Sequence, residues 1–256
     1  MKEMNKEKTT LSFCITCKNR MWQIKQTLPQ NLKDNLSMKG QVDFVLVDFG
    51  STDGLQEWII ENFEQEIKEG YLKYYYTEEL PYWHVCIAKN TAHALSESDI
   101  VVNLDCDNYT GKDGGKYVLE NMLKHGIHDT IIHQFSGDGF DGSYGRIALS
   151  KENFMNIRGY DESFEPMGHE DKDLLMRLKS IGLTCILLND ERYNQAIRNN
   201  KEEGIVNCLS GLNWIEMYHR NDRLSRENIA SGKIVANKDK ARIGVEKNIY
   251  KLEQEQ

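Results

Sequence analysis

IVVNLDCD, residues 100–107, is an apolar, β-branched run that ends directly on two acids one residue apart. A run this short, bounded by polar sequence, fits a buried strand of a parallel sheet. In open α/β sheets ligands bind beyond the carboxyl ends of the strands, so Asp105 and Asp107 stand where acids can act on a ligand. Side chains alternate along an extended chain, which predicts both carboxylates on one side. Carboxylates so placed suit a divalent hard cation held against a diphosphate. The plain alternative is a pair of solvated loop acids.

Reading outward from this strand, the chain alternates β-rich runs with helical patterns. Strands are predicted at residues 11–16 (LSFCIT), 42–47 (VDFVLV) and 72–76 (LKYYY), with helices at 22–36, 55–63 and 85–95. Beyond the two acids come a strand at 130–135, a Gly- and Asp-rich loop at 136–145 and a strand at 146–149. A helix at 151–157, a helix at 170–179 and a strand at 184–188 complete the pattern. That alternation predicts an α/β fold with a mostly parallel sheet flanked by helices. Neither a repeat nor a linker interrupts it, so one domain over residues 1–256 is expected, with its core at 11–220. The charged stretch at 221–256, above all 236–256, reads as a peripheral helical segment.

Thirty-two Lys plus Arg against 40 Asp plus Glu leave a net charge of −8, which argues against a chain-wide footprint for nucleic acid. No apolar run approaches the ~20 residues of a bilayer span, and the charged opening MKEMNKEKTT has no apolar stretch behind it; a cytoplasmic protein is expected. Six cysteines without a leader read as free thiols. Cys14 and Cys17 have C-x-x-C spacing but no second pair to complete a zinc site, so they are expected as strand thiols. Asp138 and Asp141 lack the order of an EF-hand. The phosphate-binding loop, the dinucleotide glycine fingerprint and the G-x-S-x-G elbow are all missing.

Glu170 and Asp171, in GHEDKD, open a helix. Acids there stabilise the helix dipole, or one of them serves as a general base that takes a hydroxyl proton. The dipole predicts an Asp171 carboxylate that stays ionised at neutral pH. Leu174, Leu175 and Leu178 form the stripe that docks this helix. His219, in EMYHRND, is a surface imidazole or a metal ligand beside Asp107.

Taken in order, TCKNR after the first strand, VDFGSTDG after the second, AKNTAHALSESDIVVNLDCDN, GRIALSKENFMNIRGYDE and MGHEDKDLLMRLKSIG resemble the GT-A glycosyltransferases. The chain looks like a family 2-like enzyme with features of the β-1,4-galactosyltransferase (family 7) C-terminal domain, over residues 11–220. The resemblance implies an inverting, metal-dependent transferase with a nucleotide-sugar donor, UDP-linked by preference, and Mn²⁺ or Mg²⁺ as cofactor. The acceptor hydroxyl, on a glycan, lipid-linked or protein partner, is not carried over by the resemblance. By this resemblance Thr16, Lys18, Arg20, Asp48, Trp83 and Asp105 serve the donor. Asp107 and His219 hold the metal, Glu170 binds the acceptor and Asp171 is the catalytic base. Trp83 reads equally as a core aromatic. Three positions depart from the pattern: Phe49 stands where family 2 has a second acid, Met167 where an acceptor-stacking Trp would be, and His169 where a Gly would be. Two rival readings are a sugar-phosphate nucleotidyltransferase and a non-catalytic carbohydrate-binding domain of the same fold. The first wants a Gly-rich loop where this chain has CKNRMW; the second would cite Phe49 and Met167.

Overall fold

The computed structural model describes residues 8–138, 142–198 and 204–252. Part of the expected loop at 136–145, Asp141 included, and the last residues of the tail lie outside the described residues. Strands β1 (Leu11–Cys17), β2 (Val42–Asp48), β3 (Leu72–Tyr76) and β4 (Ile100–Asn103) are followed by β5 (Thr130–Gln134), β6 (Ile147–Ser150), β7 (Thr184–Leu188) and β8 (Tyr250–Lys251). Among the described residues they form one sheet in the order β7-β5-β6-β4-β1-β2-β3-β8. β4, β1, β2 and β3 run parallel; β6 enters antiparallel beside β4, and β8 closes the far edge against β3.

Every residue of β1 is buried, as expected of a strand covered on both faces. Phe13 and Ile15 turn to one face, where Ile24 and Leu28 of α1 (Met21–Asp34) and Val118 and Met122 of α5 (Gly114–His125) pack on them. Cys14, with Val45 and Val101 of its neighbours, turns to the other. There it meets α4 (Val85–Leu95), α6 (Lys151–Asn156) and α7 (Glu170–Ser180). Leu174, Leu175 and Leu178 supply the docking stripe of α7. Two short helices, α2 (Leu55–Asn62) and α3 (Glu64–Lys68), cover the chain between β2 and β3. Cys14 and Cys17 are free, buried strand thiols.

The sequence reading needs two corrections here. Residues 236–252 are not helical: they run as turns into β8, with Ala236 and Ile243 buried and the Gly244 N–H donating to Glu162 Oε1. This segment is therefore built into the domain rather than peripheral. The sequence reading also lacks α5, and the helix it places from 221 onward begins earlier and ends sooner, as α8 (Trp214–Ala230). Each carried a signal: α5 has Val118, Leu119 and Met122 on one side and Gly126 after its end, and α8 opens on a capping box between Asn213 and Glu216. No helix among the described residues is long and apolar enough to cross a membrane.

Candidate active site

The site forms where β1, β2 and β4 end. After β1 the chain turns through Asn19, held at a φ of 54°. The Asn19 N–H donates to Ser51 Oγ at 2.9 Å, and its Oδ1 accepts from the Thr52 N–H at 2.8 Å. Asp53 accepts from the Met21 N–H at 2.8 Å and so caps α1. The TCKNR and GSTDG segments are thus latched together, which brings Thr16, Lys18 and Arg20 into one cleft with Trp83, Asp105 and Asp107. The cleft holds a cavity of about 220 Å³ that opens to solvent.

Asp105-Cys106-Asp107 is not extended. β4 stops at Asn103, and the Asn108 N–H donates back to the Asp105 carbonyl at 2.9 Å, closing a turn. Strand alternation therefore does not explain the shared face; the turn does. The turn is pinned from both sides. Asn103 Nδ2 donates to Asp105 Oδ1 at 3.0 Å and to the Gly145 carbonyl at 2.9 Å. The fully buried Arg146 donates to Asn108 Oδ1 at 2.6 Å, while Asn108 Nδ2 donates to Asp107 Oδ1. Burial first, and then the Asp105 charge, push the Asp107 carboxyl up to about 7; the Asn108 bond and Arg20 act against them.

Across Gly145 lies the second half of the site. α7 begins after a sharp turn in which Gly168 has a φ of 94° and His169 a φ of 70°. A histidine has here taken the left-handed conformation a glycine adopts at no cost, a strain typical of functional loops. Glu170 and Asp171 follow, both nearly buried. Asp173 faces away: it accepts from Arg177 Nε and from the Ser225 hydroxyl, each at 2.7 Å, and so ties α7 to α8. Dipole stabilisation does not keep Asp171 in the ordinary carboxylate range as expected. Burial raises it, Lys89 opposes, Glu170 and Asp105 raise it further, and the carboxyl is pushed up to about 7.

The remaining expected site residues divide between the cleft and its surroundings. Asp48 lies beneath the cleft, fully buried, accepting from the Ser51 N–H at 2.8 Å and the Tyr74 hydroxyl at 2.9 Å. The Lys18 ammonium lines the cleft but donates to the carbonyls of Phe49 and Leu80, which join the ends of β2 and β3. Phe49, the departure from the acidic pair, is core: its ring meets Trp83 edge-on at 5.9 Å. Trp83 is therefore both a core contact and a wall of the cleft. His219 is exposed on α8 and lines a second cavity with Asp171, not the cleft of Asp107. Among the described residues no three His, Cys, Asp or Glu side chains converge on a cation site.

Two residues at the centre had no expected role. Lys89, on α4, sends its ammonium to Asp171 Oδ1 at 2.7 Å, Glu170 Oε1 at 3.4 Å and Asp105 Oδ1 at 3.8 Å. Trp214, the first residue of α8, lines both cavities with Met167 and Glu170 and stacks on Tyr218 at 5.3 Å. An aromatic wall is thus present where Met167 replaces the expected Trp, supplied by a different element.

Residues 130–199 match the model of a family described as the N-terminal domain of galactosyltransferase. No curated protein sequence matches the chain. Among solved structures it is similar to Staphylococcus aureus TarS (residues 1–349) in complex with UDP-GlcNAc, at 18% identity and a TM-score of 0.65, covering 86% of this chain and 66% of that one. TarS in complex with UDP aligns at 18% identity and a TM-score of 0.59 over 73% of this chain and 60% of that one. It is also similar to the mannosyltransferase PcManGT from Pyrobaculum calidifontis in complex with GDP-Man and Mn²⁺, at 15% identity and a TM-score of 0.61, over 76% and 59% of the two chains. The chain spans about 60% of the length of these neighbours. Its fold is that of the GT-A glycosyltransferases.

Proposed function

We propose that this chain is an inverting glycosyltransferase that moves a sugar from a nucleoside-diphosphate donor, by preference UDP-linked, to a hydroxyl acceptor. The observation that carries the reading is the opposition of two acidic groups across one glycine. A Cβ on Gly145 would lie 3.0 Å from Asp105 Oδ2 and 2.9 Å from Asp171 Oδ2. The pair after β4 thus faces the donor cleft, and Asp171 stands on its far side, toward the second cavity. Single displacement needs that arrangement: a group that settles the leaving diphosphate on one side of the sugar and a base on the other.

The donor set fits a divalent cation. Asp105 and Asp107 offer hard oxygen ligands, and the Asp105 charge adds to the cost of ionising Asp107, which a cation would relieve. Asp107 would hold it directly, with Asp105 beside it. His219 enters that set only through a rearrangement of the segment that carries it. A bound cation would supply charge for the departing diphosphate. Arg20, at the same wall, adds a guanidinium of the kind that pairs with phosphate oxygens. On the other side Asp171 takes the proton of the acceptor hydroxyl as that oxygen bonds to the anomeric carbon and the carbon–oxygen bond to the diphosphate breaks. Glu170, shared by both cavities, orients the acceptor against Trp214 and Met167.

The test is release of UDP from UDP-GlcNAc, or GDP from GDP-mannose, with Mn²⁺ and with EDTA in its place. UDP with Mn²⁺ is also expected to raise the melting temperature, since a ligand that binds only the folded chain stabilises it. No shift with either nucleotide at millimolar concentration, together with no nucleotide release, would refute the reading. Binding without release would favour the non-catalytic alternative.

Gly145→Ala provides a separate check. Its added Cβ would press on Asp171 Oδ2 at 2.9 Å, Asp105 Oδ2 at 3.0 Å and Asn103 Nδ2 at 3.3 Å, ends of short side chains held by Lys89 and by Asn103. Turnover is expected to fall on the order of 10²-fold, the scale of a roughly 1 Å misplacement.

A further inference from the structure

Lys89 is among the largest fully buried side chains of the chain, at 2% exposure. A buried ammonium is costly unless it is paired. Three carboxylates pair it here, from two elements distant in sequence: Asp105 after β4, and Glu170 and Asp171 at the head of α7. The ring face of Tyr160, with its centroid 5.3 Å from Nζ, closes another side. The backbone beneath is locked as well. Asn90, the next residue of α4, donates from Nδ2 to the Tyr160 carbonyl at 2.8 Å and accepts at Oδ1 from the Tyr160 N–H at 2.8 Å. Helix, tyrosine and ammonium are thus one rigid unit.

A lysine at the end of a cleft with two acids could be read as a phosphate ligand. The geometry favours another role. Lys89 lines the inner end of the cleft, but its side chain is buried, and its shortest contact, 2.7 Å, is to Asp171, which lines the second cavity and not the cleft. We propose that Lys89 is a positioning residue: it fixes the Asp171 carboxylate opposite the donor acids by spanning Asp171 and Asp105 with a single charge. The inference rests on the glycosyl-transfer reading above, and specifically on Asp171 as the base. Lys89 takes no proton and touches no reacting atom; it restricts where Asp171 Oδ2 can stand when a hydroxyl arrives. Burial alone would push the ammonium down, but Asp171, Asp105 and Glu170 hold it well above the ordinary lysine value, so its charge is permanent in the working range.

The test uses Lys89→Met, Lys89→Arg and Asp171→Asn in the full chain, with UDP-GlcNAc or GDP-mannose turnover to water read as kcat and KM, and Mn²⁺-UDP affinity read by calorimetry. For Lys89→Met, kcat is expected to fall about 100-fold with donor KM within about threefold of wild type and Mn²⁺-UDP affinity not weakened, the scale set by misplacing a catalytic group by roughly 1 Å. Lys89→Arg, which keeps the charge but moves it, is expected about tenfold below wild type, recovering part of the loss. A Lys89→Met protein with wild-type kcat, or one whose loss lies in KM and UDP affinity, overturns the proposal. Should Lys89→Met not fold, Lys89→Arg decides: a tenfold fall in kcat at unchanged KM supports the proposal, and wild-type kcat overturns it. Asp171→Asn separates the two levels. If it stays active, the base assignment itself fails; if it is inactive while Lys89→Met is active, only the positioning role fails.

Discussion

Asp171→Asn is expected to lower nucleotide release by about 10²- to 10⁴-fold, the usual worth of general-base assistance, while Mn²⁺-UDP affinity stays near wild type. The amide keeps the size of the carboxyl but cannot accept a proton. Three features make the expected loss large. α7 is docked through Leu174, Leu175 and Leu178 and tied to α8 through Asp173, so no nearby acid is free to move into the vacated position. Glu170 is engaged by the same ammonium at 3.4 Å. Asp171 Oδ2 and Asp105 Oδ2 close on Gly145 from two sides, 2.9 Å and 3.0 Å from where a Cβ on that glycine would lie. The carboxyl, pushed up to about 7 by burial against the pull of Lys89, also predicts a pH limb. A base must be deprotonated to act, so wild-type turnover should rise as pH passes upward through about 7 and fall below it. A cation on the acid pair removes part of the Asp105 charge that raises Asp171, and the limb in the loaded protein is expected at or below that value. Near-wild-type turnover in Asp171→Asn would remove the base assignment.

Asp107→Ala should abolish metal-dependent UDP binding, with loss of the Mn²⁺-induced gain in melting temperature, whereas Asp105→Ala should weaken binding less. The asymmetry follows from surroundings. Asp105 is already engaged by Asn103 Nδ2 at 3.0 Å and by Lys89 at 3.8 Å, whereas Asp107 is raised to about 7 with Asn108 and Arg20 as the groups that oppose the rise. An acid whose ionisation is opposed by burial and by a neighbouring carboxylate, as that of Asp107 is, gains from a cation. Removing Asp107 also lifts a carboxyl from a nearly buried spot, so the apo protein is not expected to lose stability. Calorimetry that finds wild-type Mn²⁺-UDP affinity in Asp107→Ala would refute the role.

Much of the architecture was legible because it rests on local pattern. Runs such as LKYYY and TCILL are short and rich in β-formers, and 85–95 has helical spacing, so β3, β7 and α4 appear with the bounds the sequence predicts. Residues 100–107 announced a strand that ends on acids, and TCKNR and GSTDG announced turns, so the meeting of Thr16, Arg20, Asp105 and Asp107 in one cleft follows from strand order. Where packing in three dimensions decides, the sequence was silent or misleading. Lys89 has no role in the sequence reading, and gains one only where α7 brings Glu170 and Asp171 onto it from more than 80 residues away. Asp171 reads as an ionised helix-start acid because the dipole is a local effect, whereas its actual state is set by desolvation and by charges on α4 and beyond β4. Lys18 and Asp48 have the chemistry of donor ligands, yet one is spent on backbone carbonyls and the other lies under the cleft. Trp214 and His219 sit on a helix whose capping box was present in the sequence, but which cavity each faces is a matter of how α8 crosses α7. Local periodicity and turn chemistry thus determined the sheet and the identity of the acids by themselves. Only the tertiary structure decided which acids are pushed up, which cation stands against Asp171 and what lies opposite, because burial and Coulomb interaction depend on distance in space and not along the chain.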